Sequence, residues 1–469
     1  MRITFLQIAL FGLIYSTFTT AYGQTYDSQN VTMLSHYDDT TITLEPHFGI
    51  RYSGCWGWTN PADNRKYAIV GTSRSTKFIE VTNPAQPVLR DEVAGRRDNC
   101  IWREYQTYGK YAYMVSDDDF PNSFQIADLS YLPDSVHLVM DSDSIFSRTH
   151  TLFIDGDKLY CGSVKTNPAA PDFSSMNVYS LQNPEKPLLL RRLDTDYTLS
   201  GNQVHDMQVR NDTIFASCGY DGLYIFTYNK TQNKFHFVSN LSGYPQSGYN
   251  HSSTWSKDGK TLVMTDEVPK ALPAKVVDVS DISAPFITAN FAGTDSATPH
   301  NVYFLGDSKI CVLSNYEDGI QLYDVYDNET PKRIGYFDTH YQSTPTSNHG
   351  NYAGNWGSYV DFGGGLIVAN DMQNGFFVLD ISAAILGIVS LKPEEFKIWP
   401  NPAQDYIYTY PITARSITTW SITDICGKKV ETGNQWPSEG LRIANLSTGS
   451  YFLNVEAKRE SKTFRLVKN

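Results

Sequence analysis

An internal repeat constrains the fold of this chain more than any other feature. Seven times, a Trp or His opens a short run with the pattern of a β-strand, and successive runs begin 46 to 56 residues apart. Two further apolar runs follow in every unit, and a fourth follows in the first six. Four short strands per unit of about 50 residues predict a seven-bladed β-propeller, in which each blade buries its faces against its neighbours. The opening residues are Trp56, Trp102, His150, His205, His251, His300 and Trp356.

The seventh unit lacks a fourth run before Ser382, so its sheet would keep a bare edge unless another segment supplied a strand. We expect residues 41–48, just upstream of the first unit, to be the donor, with residues 383–390 as the alternative. The aromatic fraction of 13% suits pleated faces that pack broad side chains. The predicted fold class is all-β, with a propeller over residues 24–382 closed by an N-terminal strand.

The N-terminus has the pattern of a secretory signal peptide. Residues 1–23 combine Arg2, a short apolar region and a small-x-small ending at Ala21-Tyr22-Gly23. Polar residues interrupt the apolar region, which argues against a membrane anchor of roughly 20 apolar residues. No later segment is long and apolar enough to span a bilayer, so the mature chain is predicted to lack a transmembrane segment.

Charge and motif content narrow the function classes. The chain carries 38 Lys and Arg against 50 Asp and Glu, a formal net charge of -12, so nucleic acid is not an expected partner. The sequence also lacks G-x-S-x-G, H-E-x-x-H and P-loop signatures. Any chemistry must therefore come from residues that the fold brings together.

A second domain is predicted after a linker at residues 383–395. Residues 396–469 contain four strand-like runs separated by turns at Asp424–Gly427 and Ser447–Gly449, the pattern of a small antiparallel β-sandwich. This domain shares no repeat with the preceding units.

Two parts of the chain contain motifs that resemble those of known families. The runs at Leu34–Asp39, Trp56–Trp58, Tyr67–Gly71, Ile101–Arg103 and Tyr111–Tyr113 resemble the choice-of-anchor B family, whose units are similar to LVIVP-type repeats. This resemblance covers roughly residues 30–382. It implies an exported propeller and no particular reaction.

The C-terminal residues resemble the type A sorting domain of type IX secretion. The resemblance rests on Trp399–Ala403, Leu446–Tyr451 and a basic end at Lys462–Lys468, although Trp399 stands where Tyr or Phe is commoner. It implies a Bacteroidetes-like cell, the type IX machinery as partner, passage across the outer membrane, removal of this domain, and a secreted or cell-surface product. An ordinary carbohydrate-binding sandwich is the alternative.

The candidate site is one mouth of the predicted channel. The first strand of a blade is the innermost, so the seven opening residues are expected to gather there, together with the acidic loops that join second and third strands. The candidate binding residues are Trp56, Trp102, Arg103, His150, His205, Asp206, His251, His300 and Trp356. The acidic residues are Asp117, Asp118, Asp119, Asp221, Asp266, Glu267, Glu317, Asp318 and Asp371.

The four histidines of this set have two interpretations. Converging imidazoles can bind a divalent transition metal, or act as a general acid or base near neutral pH. Alternatively, each imidazole hydrogen-bonds the backbone of a neighbouring blade, which is consistent with Trp at the equivalent place in three blades. Asp206, beside His205, is placed to orient an imidazole.

Other features of this face also have two interpretations. The acidic loops suit Ca²⁺ or are solvated surface charge. Two insertions, residues 165–175 and 338–354, are contact loops for a sugar or peptide, or ordinary loops. The second insertion supplies His340, Tyr341, His349 and Tyr352.

The six cysteines are too few for a disulfide framework in an exported chain of this length. Cys55 and Cys100 each stand one or two residues before an opening Trp, so a disulfide between them across adjacent repeats is one interpretation. The other four are expected to be buried small hydrophobic residues.

Two functions are consistent with these sequence features. The first is an exported or surface binding module for an extracellular polymer, peptide or protein. The second is a secreted hydrolase or lyase that uses the channel-mouth histidines, with or without a metal. The missing nucleophile motifs and the many Tyr and Trp favour binding over catalysis.

Overall fold

The computed structural model describes residues 26–166, 172–291, 297–340, 352–390, 397–410, 417–437, 439–457 and 460–469. The chain divides into two compact units, Met1–Leu379 and Asp380–Asn469. The predicted signal peptide at residues 1–23 lies outside the described residues. Among the helices that are described, none has the length and apolar character needed to cross a membrane.

The described residues of the first unit form seven antiparallel sheets. Six are built from four consecutive strands, one of which also pairs with an N-terminal strand, and the seventh is built from three consecutive strands plus a second N-terminal strand. The N-terminal strands are β1 (Ser28–Gln29) and β2 (Thr32–Tyr37). The first sheet contains β3 (Tyr52–Thr59), β4 (Lys66–Thr72), β5 (Ser75–Glu80) and β6 (Val88–Ala94). The second contains β7 (Arg103–Tyr108), β8 (Tyr111–Ser116), β9 (Phe124–Asp128) and β10 (His137–Ser142). The third contains β11 (Thr151–Asp155), β12 (Lys158–Lys165), β13 (Phe173–Ser180) and β14 (Leu188–Arg192), followed by a short 3-10 helix (Leu193–Thr195).

The remaining four sheets repeat this plan. The fourth contains β15 (Asp206–Arg210), β16 (Thr213–Ser217), β17 (Leu223–Asn229) and β18 (Lys234–Leu241). The fifth contains β19 (Asn250–Trp255), β20 (Thr261–Asp266), β21 (Ala274–Asp278) and β22 (Phe286–Phe291). The sixth contains β23 (Val302–Phe304), β24 (Ile310–Ser314), β25 (Ile320–Asp324) and β26 (Lys332–Phe337), with β1 as a fifth strand. The seventh contains β27 (Asn355–Tyr359), β28 (Leu366–Asp371), β29 (Gly375–Asp380) and β2.

Burial explains why the middle strands are continuous apolar runs. In β4 every residue after Lys66 is buried, whereas β6 is mostly exposed or half-buried. A strand whose two faces are both covered has no polar face, so the period-2 alternation of a half-buried strand disappears. The predicted all-β class and the four-strand units are confirmed.

Neighbouring sheets pack face to face through apolar side chains. Ile69 of the first sheet and Met114 of the second belong to one buried cluster. Similar clusters join each later sheet to the next one, from the second sheet through to the sixth. The sixth and seventh sheets meet where the Ser314 and Ser358 hydroxyls lie 2.9 Å apart. The seventh sheet packs against the first, since Val70 and Val378 share a cluster.

The fourth strand of the seventh sheet is β2, so the expected donor at residues 41–48 is wrong. Those residues form turns because the Glu45 carboxylate accepts the backbone N–H groups of His47 and Phe48 at 2.9 and 2.6 Å. Gly375 permits the close approach of β2: its φ is +96°, and a Cβ there would lie 2.6 Å from the carbonyl oxygen of Tyr37. The alternative donor is also wrong, because residues 383–390 lie in helix α1 (Ser382–Ser390) and form no strand. This helix occupies the first part of the linker that was expected at residues 383–395.

The second unit contains two further sheets. Buried residues from both sheets, including Ile407, Ile422 and Leu453, form one apolar cluster, as in a small β-sandwich. One sheet contains β30 (Lys397–Trp399), β31 (Tyr406–Tyr410) and β34 (Leu441–Arg442). The other contains β32 (Ile417–Asp424), β33 (Lys429–Asn434), β35 (Gly449–Ala457) and β36 (Glu460–Lys468).

The structure has no disulfide between Cys55 and Cys100; both are buried free thiols. They face different neighbours. The Cys55 thiol donates to the carbonyl oxygen of Gly357 in the seventh sheet at 3.5 Å, whereas the Cys100 thiol donates to that of Arg97 at 3.7 Å. Of the other four, Cys161, Cys218 and Cys311 are buried as expected and Cys426 is exposed.

We expect β2 to stabilise the seven-sheet unit. A chain that begins at residue 38 should have a free energy of unfolding about 2 to 4 kcal/mol lower than a chain that begins at residue 31, since each cross-strand pair contributes about 0.2 to 1 kcal/mol. Both chains lack β1 and end at Asn469, so the comparison isolates β2. Urea denaturation followed by tryptophan fluorescence measures the difference. Equal unfolding free energies would show that β2 does not support the sheet.

Candidate functional site

Four imidazoles and one indole form a row at the start of the first strands. The ring centroids of His150 and His205 lie 3.9 Å apart, those of His205 and His251 4.2 Å, those of His251 and His300 4.2 Å, and those of His300 and Trp356 4.4 Å. We call His150, His205, His251 and His300 the histidine row. The residues come from five consecutive sheets, so the repeat places them side by side.

Two cavities meet at this row. The larger has a volume of about 560 Å³ and the smaller about 110 Å³. His150, His205, His251 and Trp356 line both, so these side chains separate the two spaces. Of the other predicted residues, Trp102 lines only the larger cavity, and the smaller alone is lined by Trp56, Asp206 and His300.

Arg103 lines neither cavity. It is 4% exposed, its Nε donates to the carbonyl oxygen of Thr72 at 2.9 Å, and its guanidinium lies against Gly95, where a side chain would collide with it. Its side chain therefore links the first two sheets.

Backbone contacts support the structural interpretation of two histidines. Nδ1 of His205 donates to the carbonyl oxygen of His251 at 3.1 Å, and Nδ1 of His300 donates to that of Trp356 at 2.6 Å. Each bond therefore joins an imidazole to the next sheet. Asp206 does not orient His205 through this nitrogen; it accepts from the Thr151 hydroxyl at 3.1 Å and the Met207 N–H at 2.7 Å.

The electrostatic environment divides the histidine row. Burial lowers the pKa of His251 to about 3, and burial together with neighbouring histidines lowers the pKa values of His205 and His300 well below the usual range. Burial also acts to lower the pKa of His150, but a hydrogen bond to Asp117 at 2.8 Å outweighs it, so this pKa is raised. Three imidazoles are thus neutral near pH 7, and His150 is the member that carries positive charge most readily.

Glu104 is a site residue that the sequence analysis missed. It lines the smaller cavity, and its Oε1 accepts a hydrogen bond from Trp356 Nε1 at 3.1 Å. Burial raises its pKa to about 7, with a smaller contribution from Asp206. A carboxyl group that titrates near neutrality can serve as a general acid or base. Its only sequence signal was its position two residues after an opening Trp.

The acidic loops contribute unequally. Asp117 and Glu267 line the larger cavity. Four other acidic residues of these loops bond to groups within the protein. Asp118 accepts the N–H groups of Ile101 and Trp102, and Asp221 accepts the N–H group of Gly201. Asp266 pairs with Lys275 at 2.7 Å, and Asp371 accepts a hydrogen bond from the Thr339 hydroxyl. Their carboxylates hold loops and strand ends together.

The insertions reach the larger cavity in part. Phe173 and Tyr352 line it, whereas His340 is buried 3.8 Å from Asp371 and lines neither cavity. Tyr341 and His349 lie outside the described residues. Loop residues without a repeat signature complete the wall, and the sequence analysis did not single them out. They include Phe48, Arg148, Gln203, Tyr220, Tyr249 and Tyr316.

Comparison with known families identifies the C-terminal unit. Residues 397–469 match the family described as "Secretion system C-terminal sorting domain". Comparison with curated proteins gives no match. The protein is therefore exported through type IX secretion, interacts with that machinery through this domain, and reaches the cell surface or exterior. The sorting-domain prediction is confirmed.

The pKa of Glu104 makes stability depend on pH. The folded state holds the proton up to about pH 7 and the unfolded state only up to about 4.5, so stability falls as the pH rises through this window. Glu104→Gln removes this titration and keeps an acceptor for Trp356. We expect the stability of the variant relative to wild type to rise by about 3 kcal/mol between pH 4.5 and pH 8.

Denaturant titrations at both pH values measure this change. Gln182→Ala, at an exposed position that carries no titratable side chain, is the control and should show a constant difference from wild type. A constant difference for Glu104→Gln as well would contradict the raised pKa.

The sorting domain should be required for passage across the outer membrane. A chain that lacks residues 397–469 should accumulate in the periplasm, because the secretion machinery has no signal to bind. Cell fractionation and surface protease digestion measure its location. A reporter protein carrying residues 1–23 and 397–469 is the control and should reach the exterior. Normal export of the truncated chain would overturn the assignment.

Proposed function

We propose that the seven sheets close into a seven-bladed β-propeller similar to LVIVP-repeat, choice-of-anchor B proteins, and that it acts after export as a binding module. The packing of the seventh sheet against the first supports closure. So does the side-chain amide of Asn370, which donates to the carbonyl oxygen of Ser53 at 2.8 Å, joining positions 317 apart. In such a ring, the larger cavity lies at one mouth of the channel.

The larger cavity carries the functional proposal. Its volume of about 560 Å³ lies within the range of small-molecule and cofactor sites. Broad flat side chains form much of its wall and provide apolar faces for stacking. The aromatic wall residues are Phe48, Trp102, Phe173, Tyr220, Tyr249, Tyr316, Tyr352 and Trp356.

Polar groups at the same cavity would fix the orientation of a ligand. Arg148 and Asp117 form an ion pair at 3.3 Å, and Gln203 and Glu267 add an amide and a second carboxylate. Donors and acceptors among aromatic faces suit a sugar unit or a peptide segment, both of which combine apolar surface with hydrogen-bonding groups. The size of the cavity favours a segment of an extracellular polymer or peptide; a protein partner would insert a single loop or side chain.

A second candidate function has one supporting observation. Glu104, with a pKa of about 7, shares the smaller cavity with neutral imidazoles, an arrangement that can move protons in a secreted hydrolase or lyase. A substrate would reach these groups through the larger cavity. Turnover of a bound polymer that is abolished by Glu104→Gln would favour this function over simple binding.

Binding should depend on the aromatic wall. Arrays of soluble oligosaccharides and of unstructured peptides, probed with the purified full chain, identify the ligand class. Tyr220→Ser should weaken binding to the best ligand about tenfold, because loss of a contacting aromatic ring costs more than about 1 kcal/mol. Tyr220 is 72% exposed, so the variant should fold normally.

Tyr326→Ser is the matched control, because Tyr326 is 53% exposed and lines neither cavity. Its affinity should equal that of wild type. An equal loss in both variants, or no loss in Tyr220→Ser and Trp102→Ala, would place the binding surface elsewhere.

A further inference from the structure

Three side chains from two neighbouring sheets converge at one end of the histidine row. His251 lies in β19, Glu267 directly follows β20, and His300 lies two residues before β23. One potential ligand atom from each lies within 4.8 Å of the other two, and within the described part of the chain this is the only such group of three or more His, Cys, Asp or Glu. His251 Nε2 and Glu267 Oε2 are 3.7 Å apart.

His300 presents an unused ligand atom to this group. The side chain is 1% exposed, and its Nε2 is buried without a hydrogen-bond partner. Its Nδ1 donates to the carbonyl oxygen of Trp356, so the proton is on Nδ1 and the lone pair is on Nε2. A buried nitrogen with a free lone pair is costly unless something binds it. The backbone bond at the other nitrogen is the arrangement that orients metal-binding histidines.

Glu267 is oriented in a comparable way. The Tyr316 hydroxyl donates to Oε1 at 2.6 Å, which leaves Oε2 directed at His251. A metal-binding carboxylate is commonly held by such a neighbouring hydrogen bond. Tyr316 is buried at 2% exposure, so this support is rigid.

We propose that His251, His300 and Glu267 bind one divalent transition metal of the zinc class. Two imidazole nitrogens and one carboxylate oxygen are a known ligand set for zinc, and they leave a fourth position open. Zinc–ligand bonds of about 2.0 to 2.1 Å place tetrahedral ligand atoms roughly 3.4 Å apart. The three ligand atoms lie within 4.8 Å of one another, so each pair needs to close by at most about 1.4 Å. Two imidazole ligands make a transition metal a better fit than Ca²⁺, which prefers oxygen ligands.

This assignment differs from a site made of all four histidines. His150 bonds to Asp117, and neither His150 nor His205 has a ligand atom in the converging group. The proposal is also independent of the proposed ligand binding, because the metal site is complete without a polymer or peptide. The fourth position lies beside the larger cavity, which His251 and Glu267 line, so a bound ligand could reach the metal.

Zinc binding by the purified chain tests the proposal. After treatment with a chelator and its removal, wild type should take up one zinc per chain, measured by calorimetry and by elemental analysis, in the presence of excess Ca²⁺. His251→Gln and Glu267→Gln should bind at least about 100-fold more weakly, and Tyr316→Phe about 10- to 100-fold more weakly. His150→Gln, which removes an imidazole of the histidine row outside the converging group, should retain wild-type affinity for zinc. His236→Gln is the matched control away from the site, because His236 lines neither cavity.

Two outcomes would overturn the proposal. One is no stoichiometric uptake of zinc by the folded wild type. The other is loss of zinc in His150→Gln with full retention in Glu267→Gln. X-ray absorption of the zinc-loaded wild type gives a test that does not depend on the folding of any variant: two imidazoles per zinc support the site, and three or four contradict it.

Discussion

Apolar packing between the faces of neighbouring sheets supports every other feature of the larger unit. A four-stranded sheet cannot bury both faces alone, so Ile69 and Val70, on opposite faces of β4, need the second and the seventh sheets respectively. The N-terminal β2 completes the seventh sheet in the same way, beside β29. The contact between the first and the seventh sheets therefore joins parts of the unit that lie far apart in sequence.

The site is a consequence of this packing. Repeated strands bring equivalent residues of successive sheets next to one another, and the histidine row with Trp356 is the result. The same packing removes water from the row, so three imidazoles stay neutral and Glu104 holds its proton to about pH 7. His300 thus combines the structural interpretation with the proposed metal-binding one: its Nδ1 joins two sheets, while its Nε2 remains free.

The two units differ in how far their sequence alone explains them. In the C-terminal unit, short ordered motifs mark a domain that a secretion machine recognises, and the family match over residues 397–469 agrees. In the larger unit, the repeat explains the architecture and gives no ligand. The proposed binding function depends on loop side chains such as Tyr249 and Tyr316, which line the larger cavity but carry no repeat signature.

Local periodicity was enough to predict the all-β class, the four-strand units and the seven opening residues, because those features repeat along the chain. The sorting domain was predicted from short motifs that resemble a known family, because those motifs stand together near the C-terminus. Local periodicity could not identify β2 as the completing strand, since Thr32–Tyr37 has a weak apolar pattern and is matched to β29 only by position in space. Nor could it find Glu104, which meets Trp356 from 252 positions away. Burial, and therefore pKa and ligand geometry, depends on which distant residues share a water-poor space, and packing of the sheets sets that arrangement.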